Sequence, residues 1–177
     1  MERNAGYIQI YTGDGKGKTS AALGTALRAA GAGWKVLLIQ FMKDGFPYAE
    51  MDALPHLSDW ITVERYGHDR HVLENRPPTE QEKVLARRGL ERALEAMEQE
   101  RYDLLILDEI CVAVHFGLLD PAEVAPLFAR RPADLEMILT GRYCPEEWIE
   151  QADLVTEMRE VKHYYNTGVL SRRGIDS

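Results

Sequence analysis

Residues 12 to 20 read TGDGKGKTS, set between the apolar run YIQIY (7 to 11) and the helically spaced, alanine-rich AALGTALRAAG (21 to 31). A strand that breaks into glycines and re-enters a helix through Gly-Lys-Thr is the context of a phosphate-binding loop. There, consecutive backbone N–H groups form an anion nest at a helix N-terminus. A lysine adds a point charge, and the hydroxyl that follows ligates Mg²⁺. Thr12, Gly13, Asp14, Gly15, Lys16, Gly17, Lys18, Thr19 and Ser20 are therefore expected to hold a nucleotide triphosphate. In that role Gly13, Gly15 and Gly17 let the backbone turn toward phosphate, Lys18 reaches the phosphates and Thr19 holds the metal. The strict pattern G-x-x-x-x-G-K-[ST] has glycine where this chain has Thr12; Gly13 stands one place later. Asp14 sets a negative charge beside the loop, which opposes ATP unless a lysine or metal compensates.

Beyond the loop, short apolar runs alternate with amphipathic stretches. VLLIQF (36 to 41), WITVERY (60 to 66), DLLILDE (103 to 109), LEMILT (135 to 140) and LVTEM (154 to 158) read as further strands, several too continuously apolar to have a wet face. The stretches starting at residues 18 and 78 carry helical spacing, and PAEVAPLFAR and PEEWIEQA open shorter helices with a first-turn proline. This order predicts a three-layer α/β fold around a mostly parallel sheet. The 177 residues fit one domain, 1 to 177, with an irregular C-terminal tail from about 162.

A net charge of −8 disfavours nucleic acid as a partner, since a grip on phosphate backbones needs a basic face. No run approaches the roughly 20 apolar residues of a membrane span. Cys111 and Cys144 have no metal-ligand spacing and no hydrophobic leader precedes the first strand, so a reduced cytoplasmic protein is expected, with the cysteines as small buried residues.

The run DLLILDE delivers Asp108 and Glu109 to the sheet edge where the loop also opens, and either carboxylate can bind Mg²⁺ directly or through water. Asp108, Glu109 and Thr19 are the candidate metal ligands. Lys18, Thr19 and Glu109 are the candidate catalytic residues. Mg-ATP binding follows; the residues alone leave open whether the chain is a phosphotransferase or ATPase, or a non-catalytic ATP-binding module.

Three segments, TGDGKGKTSAALGTALRAAG, LTGRYCPEEWIEQADLVTEMREVKHYY and GVLSRRGID, resemble the ATP:corrinoid adenosyltransferases, as do VLLIQFMKDG and LLILDEI. The resemblance implies a RecA-like P-loop fold in which ATP lies reversed in the loop. Co(I) of a corrinoid then attacks the ribose C5′, and tripolyphosphate leaves whole. It implies ATP as co-substrate, Mg²⁺ or Mn²⁺, a corrinoid substrate, a flavoprotein reductase as electron source and a homodimer. Arg28, Arg142 and Arg173 fall at basic positions of the matching segments and are expected at the nucleotide, whereas Glu157 and Lys162 read as structural ion-pairing residues. Where several members carry G-F-x-W, with aromatics that displace the lower ligand of cobalt, this chain reads Gly67-His68-Asp69-Arg70-His71. Its histidines read as exposed loop residues.

Overall fold

The computed structural model describes residues 5–43, 45, 47–68, 70–99 and 102–177. Asp69 of the HDRH run and the side chain of Arg70 lie outside what is described. Six strands, β1 (Ile8–Thr12), β2 (Val36–Phe41), β3 (Ile61–Tyr66), β4 (Leu104–Asp108), β5 (Glu136–Thr140) and β6 (Leu154–Glu157), form one sheet in the order β3-β2-β4-β5-β1-β6. Every pairing is parallel, for example Leu38 beside Val63 and Ile106, and Ile10 beside Leu139 and Val155. Parallel pairing brings all six C-terminal ends to one edge. Thr12, Phe41, Asp108, Thr140 and Glu157 gather there.

The apolar strands are two-sided. Leu37, Ile39, Leu105, Leu107, Met137 and Leu139 pack on one face with the long helix α4 (Glu80–Gln99) and α6 (Pro121–Arg130). Val36, Leu38, Leu104, Ile106 and Ile138 meet α1 (Lys18–Gly31) on the other. A strand with both neighbours alternating this way has no wet face, which is why VLLIQF and LLILD carry no alternation. Helix α1 buries Ala22, Ala26, Ala29 and Ala30, an i, i+4, i+7, i+8 stripe of small side chains that lets it lie close on the sheet. Three layers result, as the alternation of elements predicts.

Shorter pieces not expected from the sequence complete the chain: α2 (Glu50–Ala53) running into a 3-10 turn at Leu54–Leu57, α3 (Arg70–Leu73), α5 (Ile110–His115) and a 3-10 turn at Tyr164–Thr167. Four to six residues are too few for periodicity to register. The last helix, α7 (Glu146–Gln151), precedes β6, an exposed edge strand. Helix α4 opens with a reciprocal cap in which Glu82 N–H donates to Thr79 Oγ1 and Thr79 N–H donates to Glu82 Oε2 (2.7 Å).

Candidate active site at the strand ends

The loop between β1 and α1 is built on its glycines, for two different reasons. Gly13 (φ 92°) and Gly17 (φ 114°) occupy left-handed backbone that side chains disfavour. Gly15 has ordinary dihedrals but no room: a Cβ there would meet Met158 O at 2.6 Å. The Gly15 N–H donates to that same carbonyl, and Met158 N–H donates to Thr12 O. The chain after β6 thus braces the loop, a contact the spacing of glycines does not reveal.

Lys18 curls back over the loop, its ammonium donating to Gly13 O and Gly15 O, each at 2.6 Å. Burial draws its pKa down, and Arg142 adds to this; Glu109, Asp14 and Asp108 pull the other way. Asp108 is the hub of the site. Fully buried at the end of β4, it accepts from Thr19 Oγ1 (2.9 Å) and Thr140 Oγ1 (2.6 Å) on one oxygen, and from Gln40 Nε2 (3.1 Å) and Lys43 Nζ (2.6 Å) on the other. Burial alone would raise its pKa, but the charge of Lys43 and these hydrogen bonds outweigh it and hold the group anionic. Glu109, in left-handed backbone (φ 65°), has its pKa raised by burial and by the neighbouring Asp108.

Gly15, Lys16, Gly17, Lys18, Thr19 and Ser20 line a cavity of about 820 Å³ together with Lys43, Tyr48, Glu109 and Arg142. Its far wall is the C-terminal tail, including His163, Tyr164, Tyr165 and residues 174–177. The volume lies in the range of small-molecule sites. The tail is not loose strand: Lys16 pairs with Asp176 (3.0 Å) and donates to Ile175 O, Tyr164 donates to Asp176, and the Arg172 guanidinium lies 4.6 Å from the Tyr164 ring centre.

The other expected nucleotide residues fall outside this lining. Thr12 is buried beneath the loop, Gly13 packs on Glu157 and Met158, and Asp14 is exposed. Arg28 is exposed further along α1, and Arg173 pairs with Asp52 (2.6 Å). Glu157 and Lys162 are exposed. Lys43, Gln40, Thr140 and Tyr48 were missed by sequence reasoning; a lysine just after an apolar strand, as in VLLIQFMK, was the available signal for the first.

The two histidines of HDRH are not the exposed loop residues that the polarity of the run suggests. His71 is 1% exposed and meets Phe116 edge-on with ring centres 5.9 Å apart. His68 Nδ1 and His71 Nδ1 lie 3.6 and 3.9 Å from buried Glu82, which also takes both terminal nitrogens of Arg76 (2.8 and 2.9 Å). The carboxylate that caps α4 thus faces both histidines. His68 also forms a backbone bridge with Lys43, tying this corner to the hub. The cysteines, distant in sequence, touch: a thiol–thiol hydrogen bond pushes buried Cys111 up, with burial adding to it, and draws Cys144 down against the opposing effect of burial.

A three-layer parallel sheet with a glycine-rich loop, lysine and hydroxyl facing a strand-end aspartate defines a P-loop nucleotide-binding protein. The family model described as ATP:corrinoid adenosyltransferase BtuR/CobO/CobP matches residues 4–177, and the chain belongs to that family. It is 36% identical over 173 residues to the corrinoid adenosyltransferase of Escherichia coli K12, covering 97% of this chain and 85% of the relative. It is 34% identical over 175 residues to corrinoid adenosyltransferase CobA of Salmonella typhimurium LT2 (99% and 87%), and 32% identical over 173 residues to that of a Sinorhizobium species (97% and 80%).

Proposed function

We propose that this chain transfers the 5′-deoxyadenosyl group of ATP to the Co(I) centre of a corrinoid, releasing tripolyphosphate, in the making or salvage of adenosylcobalamin. One observation carries the reading beyond family membership. The three segments that bear the resemblance, far apart in sequence, meet around one cavity: the loop at residues 15–20, Arg142 after β5, and the tail at 163–177.

In this reaction an electron pair on cobalt forms the Co–C5′ bond while the C5′–O bond breaks and its pair leaves with the tripolyphosphate. The corrinoid brings the nucleophile, so no protein base is needed. The chain's task is to position the ribose and to neutralise a polyanionic leaving group. The loop N–H groups, Lys16, Lys18 and Arg142 would do that.

The oxygen set at the hub suits a divalent cation. Hydroxyl and carboxylate are hard donors, and Thr19 Oγ1 and Asp108 Oδ1 already stand together, 2.9 Å apart. Thr19 and Asp108 would hold Mg²⁺ or Mn²⁺, with Glu109 beside them. Such a cation supplies charge neutralisation of the triphosphate.

The rest of the reading is a homodimer of single-domain protomers, served by a flavoprotein reductase, in the cytoplasm. No helix among the described residues is long and apolar enough to cross a membrane. Incubation with Mg-ATP and a chemically reduced corrinoid tests the activity. Adenosylcorrinoid with tripolyphosphate is the expected product pair; ADP with phosphate would instead make the chain a phosphotransferase or ATPase, and no turnover would make it a binding module.

A further inference from the structure

The ammonium of Lys43 stands where the hub would hold a metal. Its Nζ lies 2.6 Å from Asp108 Oδ2, 2.9 Å from Thr19 Oγ1 and 4.0 Å from Glu109 Oε1, the same three residues that offer oxygens to a divalent cation. The arrangement is tight: the side chain of Lys43 is 10% exposed and that of Asp108 is fully buried. Attraction to both carboxylates raises the Lys43 pKa despite the opposing cost of burial. Two cations compete here, because both draw on Thr19 Oγ1 and on the charge of the Asp108 carboxylate and they repel at short range.

The lysine also has somewhere to go. Its Nζ lies 5.4 Å from the ring centre of Tyr48, and both residues line the cavity in which the phosphates would sit. Its backbone is fixed by the bridge to His68 and follows Met42 in left-handed conformation (φ 63°), so the movable part is the four-carbon stem. A flexible stem carrying a compact charge can pass from a carboxylate to a phosphate without moving the sheet.

We propose that Lys43 is a tethered competitor for the metal site: it fills the Thr19–Asp108–Glu109 set until nucleotide phosphates draw its ammonium into the cavity, so that divalent metal and ATP enter together. The proposal rests on the reading of the loop as a metal–ATP site. Lys43 is a positioning residue for the metal and a phosphate contact once displaced. Metal affinity then depends on nucleotide, and by linkage nucleotide affinity depends on metal to the same degree.

The test is Mn²⁺ binding, read from loss of the free-ion electron paramagnetic resonance signal, on wild type, Lys43→Met and Lys43→Gln, with and without ATP and with no corrinoid present. Without ATP, both variants should bind Mn²⁺ at least about tenfold more tightly than wild type, and ATP should tighten wild-type binding by more than it tightens theirs. Lys43→Arg, which keeps the charge, should resemble wild type. Equal Mn²⁺ affinity in wild type and variants, or weaker binding in both, would overturn the proposal. Should Lys43→Met fail to fold with Asp108 left unpaired, Lys43→Gln keeps a donor to that carboxylate, and wild type alone remains decisive: Mn²⁺ affinity that ATP leaves unchanged sinks the idea. Because no adenosyl transfer is measured, failure here leaves the proposed activity standing, and an inactive protein that shows the contrast leaves the competitor standing.

Discussion

Lys18 and Glu82 show how differently a charge can be used in one chain. Among the described residues Lys18 donates to two loop carbonyls and hydrogen-bonds to no carboxylate, so its loss breaks no direct ion pair. Lys18→Ala should abolish adenosylation with a melting temperature within a few degrees of wild type; near-normal turnover would refute its assigned role. Glu82 is structural. Hydrogen bonds from Arg76, joined by those from Thr79, hold its carboxyl well below the usual 4.5 against the opposing effect of burial. A depressed carboxylate pKa favours the folded state above the unfolded-state value, and that contribution is lost as pH falls through 4.5 toward the folded value. Glu82→Gln should cost about 2 kcal/mol at pH 7, or roughly 4–8 °C in melting temperature, and should flatten the loss of stability below pH 4.5. Urea unfolding of both proteins at neutral pH and at about pH 4 checks it; parallel curves would show that the ion pair does not act this way. The loop lysine was legible because its neighbours in sequence define it. The role of Glu82 toward His68 and His71 was not, since nothing in HDRH signals a carboxylate on α4.

At the level of elements, glycines separate local propensity from packing. Gly24 lies in the exposed middle of α1 with nothing within 4 Å of a would-be Cβ, so Gly24→Ala should raise stability by about 0.5–1 kcal/mol. Gly15→Ala faces the Met158 carbonyl at 2.6 Å, so it should lower stability and loosen the segment after β6. Thermal melts of the two variants should move in opposite directions, and a stabilised Gly15→Ala would show that the brace yields freely. The six strands and the four longer or proline-opened helices were readable from periodicity and first-turn chemistry. The short helices α2, α3 and α5 were not, because one turn of helix is fixed by contacts rather than by its own repeat.

For the molecule as a whole, the tail completes the cavity without adding to the core. Residues 163–177 are exposed or partly exposed, yet they wall the cavity and latch to Lys16 through Asp176. Removing them should leave the melting temperature nearly unchanged, since little apolar surface is buried there, while raising the KM for ATP severalfold. A truncated protein with unaltered KM would make the tail a bystander.

The sheet, its three layers and the phosphate loop follow from the chain's own order of residues, because strand burial, helix spacing and loop chemistry are each written within one short segment. The set of charges around the cavity does not. Lys43 and Asp108 stand 65 residues apart and Lys16 and Ile175 stand 159 apart; they meet because β2 lies beside β4 and because the chain after β6 returns across the loop. Strand order and register set those meetings, and they depend on how the whole sheet closes its two hydrophobic faces.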